Sequence, residues 1–421
     1  MADLPDNGQL DSTRALLRDP YRFISRTCQE LGTDAFRTRL LMGKAICLTG
    51  AEAAEMFYTS PHLQRKGAAP VRVKWTLFGS GGIQNMDGIA HRHRKAMLLS
   101  LMTPHGIERL ARLVEDTWRQ DFQSRPADQP VVLYDQLQEV LAKAVCQWAG
   151  VKLPEDEFEA LRRELTALFD NAGNVGPKHW WSRWSRQTAN ARMKQYIEEI
   201  RDGKIQISAE SAAHIIAGYR DHEAKLLDAE VAGVELLNIL RPTVAVSVYM
   251  VQAALTLHQY PHCAEKVRGG EEEDYPYYFA QEVRRFYPFF PAVPAIVKHD
   301  FEWNGYRMEE GARVLLDLYG TNHDRRIWAS PEQFHPERFI GQPISPYSLI
   351  AQGGGDHAEN HRCPGEWITI ELIQMTARFL TQEIQYDVPE QDLELDFTRL
   401  PALPKSKFRI ENVKVMQNAV V

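Results

Sequence analysis

Apolar residues recur with a helical period along most of the chain. Leu137–Trp148 (LQEVLAKAVCQW), Glu155–Asp170, Ala189–Arg201 and Trp367–Gln385 repeat them every three or four positions, which predicts helices with one buried face. Val231–His258 is apolar on most sides, so the pattern predicts one long helix buried all round. Pro242 falls in its middle. Proline removes an amide donor and clashes with the preceding turn, so a kink or local opening is expected there. Alternating strand patterns are short and few: Val131–Tyr134, Phe301–Trp303 and Val314–Tyr319. Asn171–Lys178, Arg268–Pro276 and Gly341–His357 read as local loops, not hinges, and no internal repeat or low-complexity linker interrupts the chain. This balance predicts a mainly α protein with small β-sheets, folded as a single domain over 1–421.

Composition narrows the class. With 44% hydrophobic and 25% charged residues the chain is globular, not disordered. A net charge of −7 without a long basic run argues against nucleic acid as a partner. The start, MADLPDNGQLDSTRALLRDPYRF, has no apolar signal core, and no run of 18 or more apolar residues predicts a transmembrane segment. Five scattered cysteines (Cys28, Cys47, Cys146, Cys263, Cys363) do not make a disulfide framework and suit a reducing, cytoplasmic setting.

The sharpest chemistry lies in the last third, in QGGGDHAENHRCPG (352–365), followed at once by a helical pattern. A cysteine just before a helix N-terminus feels that end's partial positive charge, which favours thiolate. His361 and Arg362 could add to this. A thiolate is a soft, electron-donating iron ligand. Two other readings stay open from the loop alone. Cys363 could be a buried structural thiol, or His357, His361 and Cys363 could hold zinc, although no second ligand pair stands at zinc spacing.

Two more signals accompany the loop: Glu282-Val283-Arg284-Arg285 on a helical stretch, and Phe334-His335-Pro336-Glu337-Arg338-Phe339. The order of Glu-x-x-Arg, Pro-Glu-Arg-Phe and a glycine-rich cysteine loop before a helix resembles the cytochrome P450 superfamily over nearly the whole chain. The resemblance implies a triangular-prism fold with heme b between the long central helix and the cysteine-loop helix. It implies Cys363 as axial ligand, an ion-pair network of Glu282, Arg285 and Arg338, and Gly365 allowing close approach of the following helix. The phenylalanine usual seven residues before the cysteine is Asp356 here. This longer loop resembles that of the bacterial fatty-acid peroxygenases.

The central helix reads Leu236-Leu237-Asn238-Ile239-Leu240-Arg241-Pro242-Thr243-Val244-Ala245. The resemblance implies an acid–alcohol pair here to deliver protons to dioxygen, but no acid stands beside Thr243. Arg241 has Leu237, Asn238, Val244 and Ala245 as helix neighbours, none acidic, so its counter-ion must come from elsewhere. A carboxylate on another segment or a heme propionate would serve; so would a substrate carboxylate held in the bidentate geometry arginine favours. Arg241-Pro242 is similar to the pair that binds fatty-acid carboxylate in the peroxygenases. The resemblance implies that this carboxylate acts as base and then acid on hydrogen peroxide, with no redox partner required. Anchoring would direct hydroxylation to the α carbon or also the β carbon of a long-chain fatty acid.

By the same resemblance Arg65, His91, Lys95 and His361 would grip the heme, and Phe78, Phe289, Phe290 and Val293 would line the acyl channel. Gln84 would stand above the heme, where decarboxylating relatives have histidine, so the chain resembles the α-hydroxylating type most. The alternatives are a decarboxylase giving terminal alkenes, a reductase-dependent monooxygenase and a non-catalytic heme sensor.

Overall fold

The computed structural model describes residues 2–171, 176–270 and 272–416. The expected loops at Asn171–Lys178 and Arg268–Pro276 therefore lie partly outside the described residues. Among the described residues helices predominate, and three small sheets complete the fold. Glu155–Asp170 forms as predicted. Leu137–Trp148 is the inner part of Leu133–Ala149, and Ala189–Arg201 is the second half of Pro177–Arg201. The last predicted helix is shorter than its pattern: Glu366–Arg378 gives way to a widened turn, Phe379–Glu383, and then to the strand Ile384–Asp387. Its β-rich end, Ile384–Asp387, pairs with Arg409–Val415, which periodicity alone does not reveal.

Of the predicted strands, Phe301–Trp303 pairs with Tyr306–Met308. Val131–Tyr134 contributes only Val131–Val132 before a helix starts at Leu133. Arg313–Asp317 runs parallel to Gly43–Leu48 in a five-stranded sheet, and Leu318 and Tyr319 already belong to a short helix. This sheet has its own apolar cluster around Leu48, Phe57, Val314 and Ile350. A much larger cluster fills the helical part.

The long apolar stretch forms Ala229–Ala245 and Ser247–Gln259. Asp228 caps it, accepting from the amides of Glu230 and Val231. The interruption comes at Val246, one turn beyond Pro242. There the Val246 amide turns to the Thr243 carbonyl, 3.1 Å away. The combined span, Ala229–Gln259, is long and apolar enough to cross a membrane, contrary to the expectation above. However, 89% of its most apolar window is buried inside the protein, as befits a core helix.

Candidate active site

Cys363 sits in the loop ahead of Glu366–Arg378. Its amide donates to the Gln352 carbonyl at 2.9 Å, which closes the loop back on its own start. Gly353 and Gly355 both have positive φ, near 90° and 80°, and a side chain at Gly355 would run into Asn360. Burial pushes the Cys363 thiol up, opposed by the Gly365 amide, Lys95 and Arg284. The two neighbours expected to help the thiolate do not. Arg362 is drawn to Glu366, 2.6 Å away, and burial lowers His361 to about 4, leaving it neutral. Ligation to a metal would itself displace the thiol proton.

The zinc reading fails on geometry. His357 reaches Glu366 at 3.0 Å, while His361 turns away to stack on His91, ring centres 3.9 Å apart. Among the described residues no cluster of three His, Cys, Asp or Glu could hold a metal ion.

Glu282 is wholly buried and accepts from Arg285 Nε at 2.7 Å and Nη2 at 2.8 Å. It also accepts from Arg338 Nε at 3.2 Å and the His335 amide at 2.8 Å. The three residues singled out in sequence are therefore one network. A second one was missed: Glu366 takes Arg284, Arg362 and His357 together, and these charges hold its carboxyl well below the usual range although burial opposes them. Glu366 follows the cysteine motif directly; Arg362, four positions away, was the only local signal, because Arg284 lies 82 positions away.

Arg65, His91, Asp87 and His361 border a cavity of about 120 Å³. Asp87 accepts from the amides of Arg65 and Lys66, both at 2.9 Å, and these bonds with that from His361 hold it to about 2 against burial. Burial lowers His91 to about 3. Arg65 lies over the Phe57 ring at 4.2 Å and donates to the Pro294 carbonyl. Lys95 does not border this cavity; it donates to the carbonyls of Asn360 and Arg362 and so braces the cysteine loop.

Arg241 is 5% exposed and its Nε is buried without a hydrogen-bond partner. Burial lowers its guanidinium to about 9, and Arg186 adds like-charge repulsion. Among the described residues it forms no ion pair, so no carboxylate from another segment answers its charge. Arg186 is itself buried and donates to the carbonyls of Leu77 and Phe78.

Gln84 is reached from the central helix. Asn238 Nδ2 donates to Gln84 Oε1 at 3.3 Å and to Glu235 Oε2 at 3.2 Å. Glu235, fully buried, also accepts from Arg94 at 2.7 Å and from the Ile83 amide at 3.0 Å. Sequence reasoning passed over Glu235 and Arg94, although an acid within an otherwise apolar helix face was the available signal. Phe289 stacks on Tyr249 at 4.7 Å, Phe290 is exposed, and Phe78 ends a turn over Lys74–Phe78. Val293 lies in the strand Ala292–Val297.

These residues fit a heme. Cys363 is the soft donor. Cys363, Pro364 and Gly365 keep partial exposure although most of the helix after them is buried. A Cβ added at Gly365 would meet only Cys363 Sγ, at 3.9 Å. Room is thus left beside the sulfur. Arg65 borders the small polar cavity, suited to anionic propionates.

Comparison with known proteins agrees. Residues 278–407 match the family model "Cytochrome P450". A variant of Cytochrome P450SP alpha (CYP152B1) is 49% identical, covers 97% of this chain and all of its own, and superposes with a TM-score of 0.94. Cytochrome P450EX alpha (CYP152N1) with myristic acid is 43% identical, with coverage of 99% and 100% and a TM-score of 0.95. A variant of cytochrome P450 OleT in complex with arachidonic acid is 34% identical over the full length of both chains, with a TM-score of 0.95. Among curated sequences, cytochrome P450 71A8 from Mentha piperita is 22% identical over 61% of this chain, and the match spans 57% of that protein's length. The chain belongs to the cytochrome P450 family, whose members bind heme through a cysteine thiolate. Within it, the chain falls in the branch of bacterial fatty-acid peroxygenases.

Proposed function

We propose that the chain, as one heme-binding domain over 1–421, hydroxylates long-chain fatty acids at the α carbon, and also the β carbon, using hydrogen peroxide. The observation that carries this reading is Arg241, a buried cation with no carboxylate partner among the described residues. An unpaired buried guanidinium costs several kcal/mol, roughly, unless a ligand neutralises it. A fatty-acid carboxylate answers it with two parallel hydrogen bonds. The myristic acid of the P450EX alpha structure supports a ligand of this class.

Heme held by Cys363, with Arg65, His91 and His361 at its edge, would supply oxygen transfer to an unactivated C–H bond. The chain's own residues do the rest. Arg241 fixes the carboxylate, which brings the neighbouring carbons to one place. Pro242 follows it and brings no amide to the helix ladder. The anchored carboxylate is placed to take a proton from hydrogen peroxide and return it, a task for which the helix has no acid beside Thr243. Gln84 adds a neutral amide whose oxygen is already engaged by Asn238. Phe78, Phe289, Phe290 and Val293 supply apolar surface for the acyl chain. Five unpaired cysteines support a cytoplasmic setting.

The test is direct. Purified protein with hydrogen peroxide and a saturated C14–C18 fatty acid, without any reductase, should give 2-hydroxy acid. No product with peroxide but turnover with a reductase would overturn the peroxygenase reading.

A further inference from the structure

The chain is acidic overall, with a net charge of −7. Two segments depart from this. Residues 56–86 and 176–197 contain no Asp or Glu, and they carry Arg72, Lys74, Lys178 and Arg183. The same segments expose large apolar side chains: Trp180 (65%), Trp181, Trp184, Trp75 and Val71. Four of the nine tryptophans thus stand in water in one place. The patch is continuous across the two segments. Trp181 and Trp184 lie 5.1 Å apart, and Arg183 lies over Trp75 at 4.5 Å and within 5.9 Å of Trp180.

Exposed indoles beside Lys and Arg suit one kind of partner. An indole is apolar in body and polar at its N–H, so it settles where lipid tails meet headgroups. Lysine and arginine beside it are attracted by anionic headgroups. We propose that this tryptophan–arginine patch seats the protein on an anionic lipid surface. The patch also adjoins the proposed channel. Trp75 and Phe78 share the turn Lys74–Phe78, and Arg186, on the same helix as the three tryptophans, donates to the Phe78 carbonyl. Resting on the fatty-acid reading above, the patch would let substrate pass from lipid to channel without crossing bulk water.

Holoprotein should sediment with vesicles of phosphatidylcholine and phosphatidylglycerol (three to one), and at least about tenfold less with phosphatidylcholine alone. Raising salt toward 1 M should weaken the binding, because the Debye length shrinks to about 3 Å. Trp180→Ser/Trp181→Ser/Trp184→Ser should lose it while keeping heme content and turnover of a water-soluble short-chain acid. Arg72→Ser/Arg183→Ser should reduce it with the tryptophans in place. Wild-type protein that ignores anionic vesicles overturns the proposal, as does a triple-tryptophan variant that binds them normally. A wild-type dimer that the triple variant abolishes, with no vesicle binding, assigns the patch to a second copy of the chain instead. Vesicle binding without fatty-acid turnover would sink the proposed reaction and leave the lipid surface standing.

Discussion

Asn238 donates its side-chain amide to Gln84 Oε1 across 3.3 Å, tying the central helix to the turn over Ile83–Asn85. The direction of this bond is set one step back. Glu235, paired with Arg94, can only accept, so Asn238 must turn its NH2 toward it. The Gln84 oxygen is thereby engaged and its own NH2 is left to face elsewhere. Glu235→Gln or Asn238→Ala should free the Gln84 amide to rotate and change the ratio of α to β product. In a Gln84→Ala background the same changes should leave the ratio alone, because the cycle isolates what passes through Gln84. An equal shift in both backgrounds refutes that route.

Gln84 also bears on product type. A glutamine amide cannot exchange protons as an imidazole does, so hydroxy acid should dominate over terminal alkene. Gln84→His should raise the alkene share to a mixture, not to a clean switch. Gas chromatography of the products from a saturated acid decides it, and mostly alkene from the wild type would reverse the assignment.

Arg241→Ala should cut kcat/KM for fatty acid by about 100-fold or more, since two hydrogen bonds to a charged group contribute about 1.5–3 kcal/mol each. Arg241→Lys keeps charge without the bidentate geometry and should fall between. A short carboxylic acid should make the wild-type protein oxidise styrene with peroxide, saturably, and should fail to do so in Arg241→Ala. Heme content must match across the series. An Arg241→Ala protein with normal heme and normal fatty-acid kinetics would end the anchoring mechanism.

Reduced protein under carbon monoxide should show the red-shifted Soret band of thiolate-ligated heme, and Cys363→Ala should lose it. Retention of that band in the variant would move the ligand to another residue.

Glu282→Ala strands Arg285 inside the protein without its acid. Breaking a buried pair in this way costs about 3–5 kcal/mol, a large part of a domain's margin of roughly 5–15 kcal/mol. A lower melting temperature and heme loss on purification should follow; a melting curve identical to wild type would show the network to be dispensable.

Asp317 gives a pH signature remote from the heme site. It caps the short helix Leu318–Asn322 through the Gly320 amide at 2.7 Å, and burial pushes its carboxyl from 3.8 up to about 7. The folded protein thus holds this proton more tightly than the unfolded chain. Its contribution to stability is full below about pH 4, is lost as pH rises through about 7, and is flat beyond. Asp317→Asn should remove that slope, so the wild-type melting temperature should fall relative to the variant's between pH 4 and 7. A constant difference across that range would contradict it.

The sequence by itself determined the helical character, the family and the poles of the site. Helical period survives in the buried central helix, and the Cys363 loop, Glu282–Arg285 and Arg338 are short motifs whose spacing is local. Arg241 was legible for a negative reason: no acid lies three or four residues away. What tertiary structure alone decided is how distant charges are answered. Glu366 finds Arg284 from 82 positions away, and Glu235 finds Arg94 from 141 away, because a buried charge takes whichever partner packing brings within about 3 Å. It also decided which neighbours these groups meet. Lys95 reaches the carbonyls of the cysteine loop, Arg362 serves Glu366, and the central helix opens at Val246 and not at Pro242. Periodicity reports which face a residue shows to the core, but it carries no information on which polar group the facing segment offers there.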